Sequence, residues 1–96
     1  MLVSTLLKNG GYDEALEECN KLINIDDNNA DYYYTRGIIY TKMERLSESI
    51  SDYSKALEIN PKHANAAYSR GSCYNQLVIS LYRETSKKRY PIIIWG

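Results

Sequence analysis

Cys19, Cys73 and His63 carry thiol and imidazole chemistry, so their spacing decides whether catalysis or metal binding is in prospect. The two cysteines are far apart and fit neither a zinc nor a dithiol spacing. No histidine or paired carboxylate stands at a motif distance from either one, and a thiol without an activating base is a poor nucleophile. Both are expected to be buried thiols that pack as small hydrophobes. His63 follows Pro61-Lys62 and reads as a solvated loop residue. Glu17 and Lys21, one helical turn apart, make a surface pair worth tenths of a kcal/mol. Arg36 and Arg70 could bind an anion, but the simpler reading packs each stem across a neighbouring helix and leaves the head in water. No enzyme, cofactor or metal site is expected.

Composition excludes several partners. Twelve basic residues balance twelve acidic ones over 96 residues, so no global field draws the chain to nucleic acid or a membrane surface. No apolar run approaches the roughly 18 residues that span a bilayer. The apolar start from Met1 to Leu7 lacks the basic region and cleavage site of a secretory signal. With unpaired cysteines, this points to a reducing compartment, and the cytoplasm is expected. Ten tyrosines and no phenylalanine supply packing area with a polar tip, which suits half-buried surfaces.

Those residues must be positioned by a repeated unit. Tyr34-Thr35-Arg36-Gly37-Ile38-Ile39-Tyr40 returns 34 residues later as Tyr68-Ser69-Arg70-Gly71-Ser72-Cys73-Tyr74. At the same offset Tyr12 aligns with Leu46, Glu14 with Glu48, Leu16 with Ile50, Lys21 with Lys55, and Ile25 with Ile59. Self-similarity at a fixed period marks a repeat architecture. Within each copy the pattern is helical: Ala15, Leu16, Cys19, Leu22 and Ile23 share one face, as do Ile50, Tyr53, Ala56 and Leu57. Gly10-Gly11 precedes the first helix and Asp13 and Glu14 suit its first turn. Asp26 to Asn29, Glu44-Arg45 and Asn60-Pro61 punctuate the rest. Helices of about 14 residues joined by such short turns must lie antiparallel.

The pattern Tyr33, Arg36-Gly37, Tyr40, Ile50, Tyr53, Ala56-Leu57, Asn60-Pro61 resembles a tetratricopeptide repeat, a helix–turn–helix family of the same period. The resemblance implies an all-α fold of antiparallel helical hairpins stacked as a short α-solenoid. In that family the small residues at Gly37 and Ala56 let helices approach closely, and Asn60-Pro61 matches the turn between repeats. The expected organisation is a partial repeat over 1–29 with its second helix at about 12–25, a complete repeat over 30–63, and a partial repeat over 64–96. Ser49 departs from the alanine preferred there, Cys19 stands where Tyr53 does, and Ala67 replaces the large aromatic.

Past Leu77 the match fails, because Ser80, Arg83, Glu84, Lys87 and Pro91 would fall at buried positions. Tyr74, Leu77, Val78 and Leu81 instead continue the preceding helix, with Lys87-Lys88-Arg89 in its last turn and Pro91 beyond. One long terminal helix to about Lys88 is expected, then either a frayed tail at Ile92 to Trp95 or a chain end with no selected structure. About three repeats are needed for an array to stand alone. The chain is therefore expected to be a fragment of a longer array, or to complete its stack by self-association through the terminal helix.

Members of the family are protein–protein interaction scaffolds that bind a peptide or helix in a concave groove lined by the first helix of each repeat. By resemblance, that groove carries Asp31, Tyr34, Thr35, Ile38, Thr41 and Lys42 from one repeat and Asn65, Tyr68, Ser69, Ser72, Asn75 and Gln76 from the next. The stripe is mostly polar and uncharged, with Tyr34 and Tyr68 one period apart as anchors. Some members grip a terminal carboxylate with lysine, asparagine and arginine; the corresponding places here hold Tyr34, Ile38, Thr35, Asn65 and Ser69. Acidic carboxylate-clamp ligands are therefore disfavoured. A self-associating structural module is the alternative. RNA reading by a helical array is opposed by a groove with Asp31 and only Lys42.

Overall fold

A computed structural model describes residues 10–87, with side chains described through residue 83. The expected tail at Ile92 to Trp95, the apolar start, and Lys88-Arg89 lie outside the described residues. Four helices follow one another: α1 (Tyr12–Ile25), α2 (Ala30–Lys42), α3 (Leu46–Ile59) and α4 (Ala64–Lys87). α2 packs between α1 and α3, and α4 closes on α3 and touches the edge of α2. This is an all-α stack of antiparallel hairpins.

The turns are written in side-chain hydrogen bonds. Asp26 Oδ1 accepts the Asn28 amide at 3.1 Å, and one period later Asn60 Oδ1 accepts the Lys62 amide at 3.1 Å. Asx turns of this kind reverse the chain within two residues. Asn29 caps α2, its Oδ1 accepting the Asp31 amide at 3.0 Å. Between α2 and α3 the reversal needs a left-handed residue, and Glu44 supplies it at φ 61°.

Small residues decide how closely the helices meet. A Cβ added at Gly37 would fall 2.5 Å from Tyr53 Cε1, so the α2 backbone lies against the Tyr53 ring. Ala15, Cys19, Ala56 and Ala66 are fully buried at the other crossings. One core joins Ile23, Tyr33, Tyr53, Ala56, Ala66 and Cys73; a smaller one joins Ala15, Cys19 and Ile39. Ser49, the residue unlike the family's alanine, is fully buried yet satisfied: its Oγ lies 3.2 Å from the Arg45 carbonyl and 2.9 Å from Thr41 Oγ1.

α4 runs unbroken beyond the length of the hairpin helices, because Leu77 to Leu81 keep helical apolar spacing and nothing breaks the chain there. The overhang turns apolar side chains toward solvent: Val78, Leu81 and Tyr82 are each more than 60 % exposed. Among the described residues no helix is long and apolar enough to cross a membrane.

Candidate functional site

α2 and α4 stand side by side on top of α3, and the space between them is an open cleft of about 270 Å³. Ile38, Thr41 and Lys42 form the α2 wall; Tyr68, Ser69, Ser72 and Gln76 form the α4 wall. Tyr53 of α3 and Cys73 make the floor. At the floor Thr41 Oγ1 is a hub, 3.0 Å from the Gly37 carbonyl, 3.1 Å from Tyr53 Oη and 3.6 Å from Cys73 Sγ. Burial raises the Tyr53 hydroxyl pKa, against the lowering by Thr41, so it stays protonated and can donate. The cleft thus offers hydroxyls and one amide beside apolar area, with Lys42 as the only charge among the described residues of its lining.

Five stripe residues lie elsewhere. Tyr34 does not stand free as an anchor: its ring tilts against His63 at 4.9 Å and Tyr53 at 5.8 Å between centroids. Asp31 is engaged by His63, with Oδ1 2.9 Å from Nε2. Thr35 bonds back to its own helix, its hydroxyl donating to the Asp31 carbonyl at 2.8 Å. Asn65 and Asn75 are exposed but outside the cleft. Conversely, Tyr53 and Cys73 read as core from their spacing alone, yet each also shows an edge to the cleft floor. The signal for both was Thr41, a hydroxyl on a face otherwise turned toward α3.

His63 is not a solvated loop residue. Its side chain is 10 % exposed, and Nδ1 accepts the Ala66 amide at 3.1 Å, capping α4. An accepting Nδ1 leaves the ring proton on Nε2, which donates to Asp31. One imidazole therefore ties the start of α4 to the start of α2. His63→Ala is expected to cost about 1 kcal/mol, as for other N-cap losses, read as a lower urea midpoint at unchanged slope.

The Arg36 head is likewise not left to water alone. Nε and Nη2 grip Asp52 Oδ2 and Oδ1, both at 2.8 Å, and Nη1 donates to Asn20 Oδ1 at 2.9 Å. One guanidinium thus joins α1, α2 and α3 through a bidentate pair and a third bond. The Asp52 hydrogen bond raises its pKa further, so it is charged at every working pH. Cys19 lies beneath this network, and burial pushes its thiol up to about 11, outweighing the pull of Arg36. It is a packing residue. Among the described residues no His, Cys, Asp and Glu group could hold a metal.

Two family models match the sequence, "Tetratricopeptide repeat" over residues 30–63 and "TPR repeat" over residues 4–44. No curated protein matches it. Among solved structures, "Second TPR of Spaghetti (RPAP3) bound to HSP90 peptide SRMEEVD" superposes with a TM-score of 0.75 at 25 % identity, over 78 % of this chain and 69 % of that one. "MamA RS-1 ArsTM double mutant" superposes with a TM-score of 0.76 at 21 % identity, over 79 % of this chain and 43 % of that one. The present chain therefore spans less than half of the latter.

Proposed function

Because this chain belongs to the tetratricopeptide repeat family, we propose that it is a protein-interaction module whose cleft between α2 and α4 binds an extended peptide of a partner protein. The single observation that carries this reading is the make-up of the cleft. Ile38 and Tyr68 offer apolar anchoring area, while Ser69, Ser72 and Gln76 offer hydrogen-bonding groups suited to a peptide backbone. Tyr68 is 78 % exposed in the free chain, so a ligand that covers it gains a large apolar contact at little ordering cost.

The chemistry of the lining favours an uncharged or mixed peptide over an acidic terminus. Lys42 is the one cation among the described residues of the lining, and a desolvated carboxylate needs several fixed donors. The peptide SRMEEVD, bound by the solved relative, should accordingly bind this chain more weakly than peptides selected on it. A single cation in the described lining also provides few phosphate contacts, which disfavours RNA as the occupant of this cleft.

The test is selection from a random-peptide display library on the full chain, followed by titration of the best peptide. Tyr68→Ala should weaken binding about tenfold, the cost of truncating an aromatic anchor, without altering the fold. Ser72→Arg should block the cleft. Peptides that bind both variants as well as the parent chain would place the recognition surface elsewhere.

A further inference from the structure

The face of α2 that carries Arg36 and Gly37 is covered by α3, and the same face recurs on α4 with no described residue over it. At Arg36, Nη1 reaches back to Asn20 while the Nε–Nη2 edge grips Asp52. At Arg70, Nη1 donates to Ser54 Oγ at 3.1 Å, and Ser54 stands one period after Asn20. The Nε–Nη2 edge of Arg70 has no partner among the described residues. The backbone repeats the contrast: a Cβ at Gly37 would meet the Tyr53 ring, whereas one at Gly71 meets nothing within 4 Å. Tyr74 and Val78 flank this opening at 49 % and 62 % exposure.

Among the described residues no segment of the chain fills the place. The residues one period after Asp52 and Tyr53 are Ser86 and Lys87, which belong to α4 itself. A second copy is no better supplied. An acidic residue followed directly by an aromatic occurs at Asp31-Tyr32 and Asp52-Tyr53; Asp31 is held by His63, and Asp52-Tyr53 is buried in the hairpin.

We infer that the Arg70–Gly71 face of α4 is a docking site for an amphipathic helix of a different protein, one carrying an Asp or Glu directly followed by Tyr or Phe. The α3 helix is the template for that ligand. Asp52 supplies the carboxylate for the arginine fork, Tyr53 the ring laid on the glycine, and Ser49 and Ala56 the small residues that permit close approach. Charge and shape act together: the fork orients the carboxylate bidentately, and the glycine admits the ring that follows it.

The probe is a fluorescein-labelled peptide of residues 46–59, capped at both ends and titrated with the full chain by anisotropy. Saturable binding is expected, weakened about tenfold or more by Arg70→Glu, as for loss of a hydrogen-bonded charge pair. A peptide with Asp52→Lys should bind the parent chain poorly and recover much of its affinity on Arg70→Glu. Gly71→Ala should abolish binding while leaving the free chain folded, since its Cβ points into open space. No binding would overturn the proposal, and so would binding indifferent to Arg70→Glu and Gly71→Ala. Sedimentation equilibrium of the chain alone is the companion measurement: a dimer removed by Gly71→Ala would make a second copy the occupant and overturn the assignment to a different protein.

Discussion

Gly37→Ala should lower the melting temperature by about 10 °C, while the matching change one period later, Gly71→Ala, should raise it by a few degrees. Both glycines sit inside helices, where alanine is preferred by about 1 kcal/mol. At Gly71 that preference acts alone, because the added methyl meets nothing within 4 Å. At Gly37 the methyl would arrive 2.5 Å from Tyr53 Cε1 and 2.7 Å from Cδ1. The ring cannot yield cheaply: Tyr53 is 2 % exposed, and its hydroxyl is held at Thr41. Overpacking of this kind costs about 1–3 kcal/mol, and a clash of this depth belongs at or beyond the upper end. A net loss of about 2 kcal/mol corresponds to about 10 °C for a domain of this size. Thermal melts by circular dichroism decide it; shifts of equal sign at the two positions would refute the packing account.

Asp52→Ala should cost about 3 kcal/mol in urea unfolding. Asp52 is 5 % exposed, and its loss strands the Arg36 guanidinium with Asn20 as its remaining hydrogen-bond partner. Breaking a buried pair from one side costs about 3–5 kcal/mol, because the surviving charge keeps its desolvation and loses its partner. Arg36 retains 23 % exposure, and that access to water places the cost at the lower end. Replacing both partners removes the stranded charge, so Arg36→Met with Asp52→Leu should be more stable than Asp52→Ala alone. A double variant less stable than the single one would mean that the pair is net stabilising beyond its mutual compensation. An Asp52→Ala loss under about 0.5 kcal/mol would put it with exposed surface pairs.

Much of the architecture is legible in the chain. The Tyr-x-Arg-Gly recurrence, the helical spacing of Ile50, Tyr53, Ala56 and Leu57, and the Asn60-Pro61 stop require stacked antiparallel hairpins, and the structure has them. What escapes a linear reading is whatever depends on how one hairpin lies on the next. His63 looks like a loop residue because its partners, Asp31 and the Tyr34 ring, are about one period away. Arg36 looks like a surface stem because Asp52 and Asn20 each lie sixteen residues off, in opposite directions along the chain. The groove stripe is likewise drawn on each helix by itself. The N-terminal turns of α2 and α4 are tied together at His63, and the open part of the cleft is lined by later turns. Tyr53 and Cys73 reach that opening only because α3 lies beneath both helices.

Chemical-shift mapping of the isotope-labelled chain with a display-selected peptide tests the binding role most directly. The account predicts shifts concentrated at Ile38, Thr41, Tyr68, Ser69, Ser72 and Gln76, on the two walls of the cleft. Shifts clustered instead at α1, or on the Arg70 and Tyr74 side of α4 with the cleft silent, would contradict it.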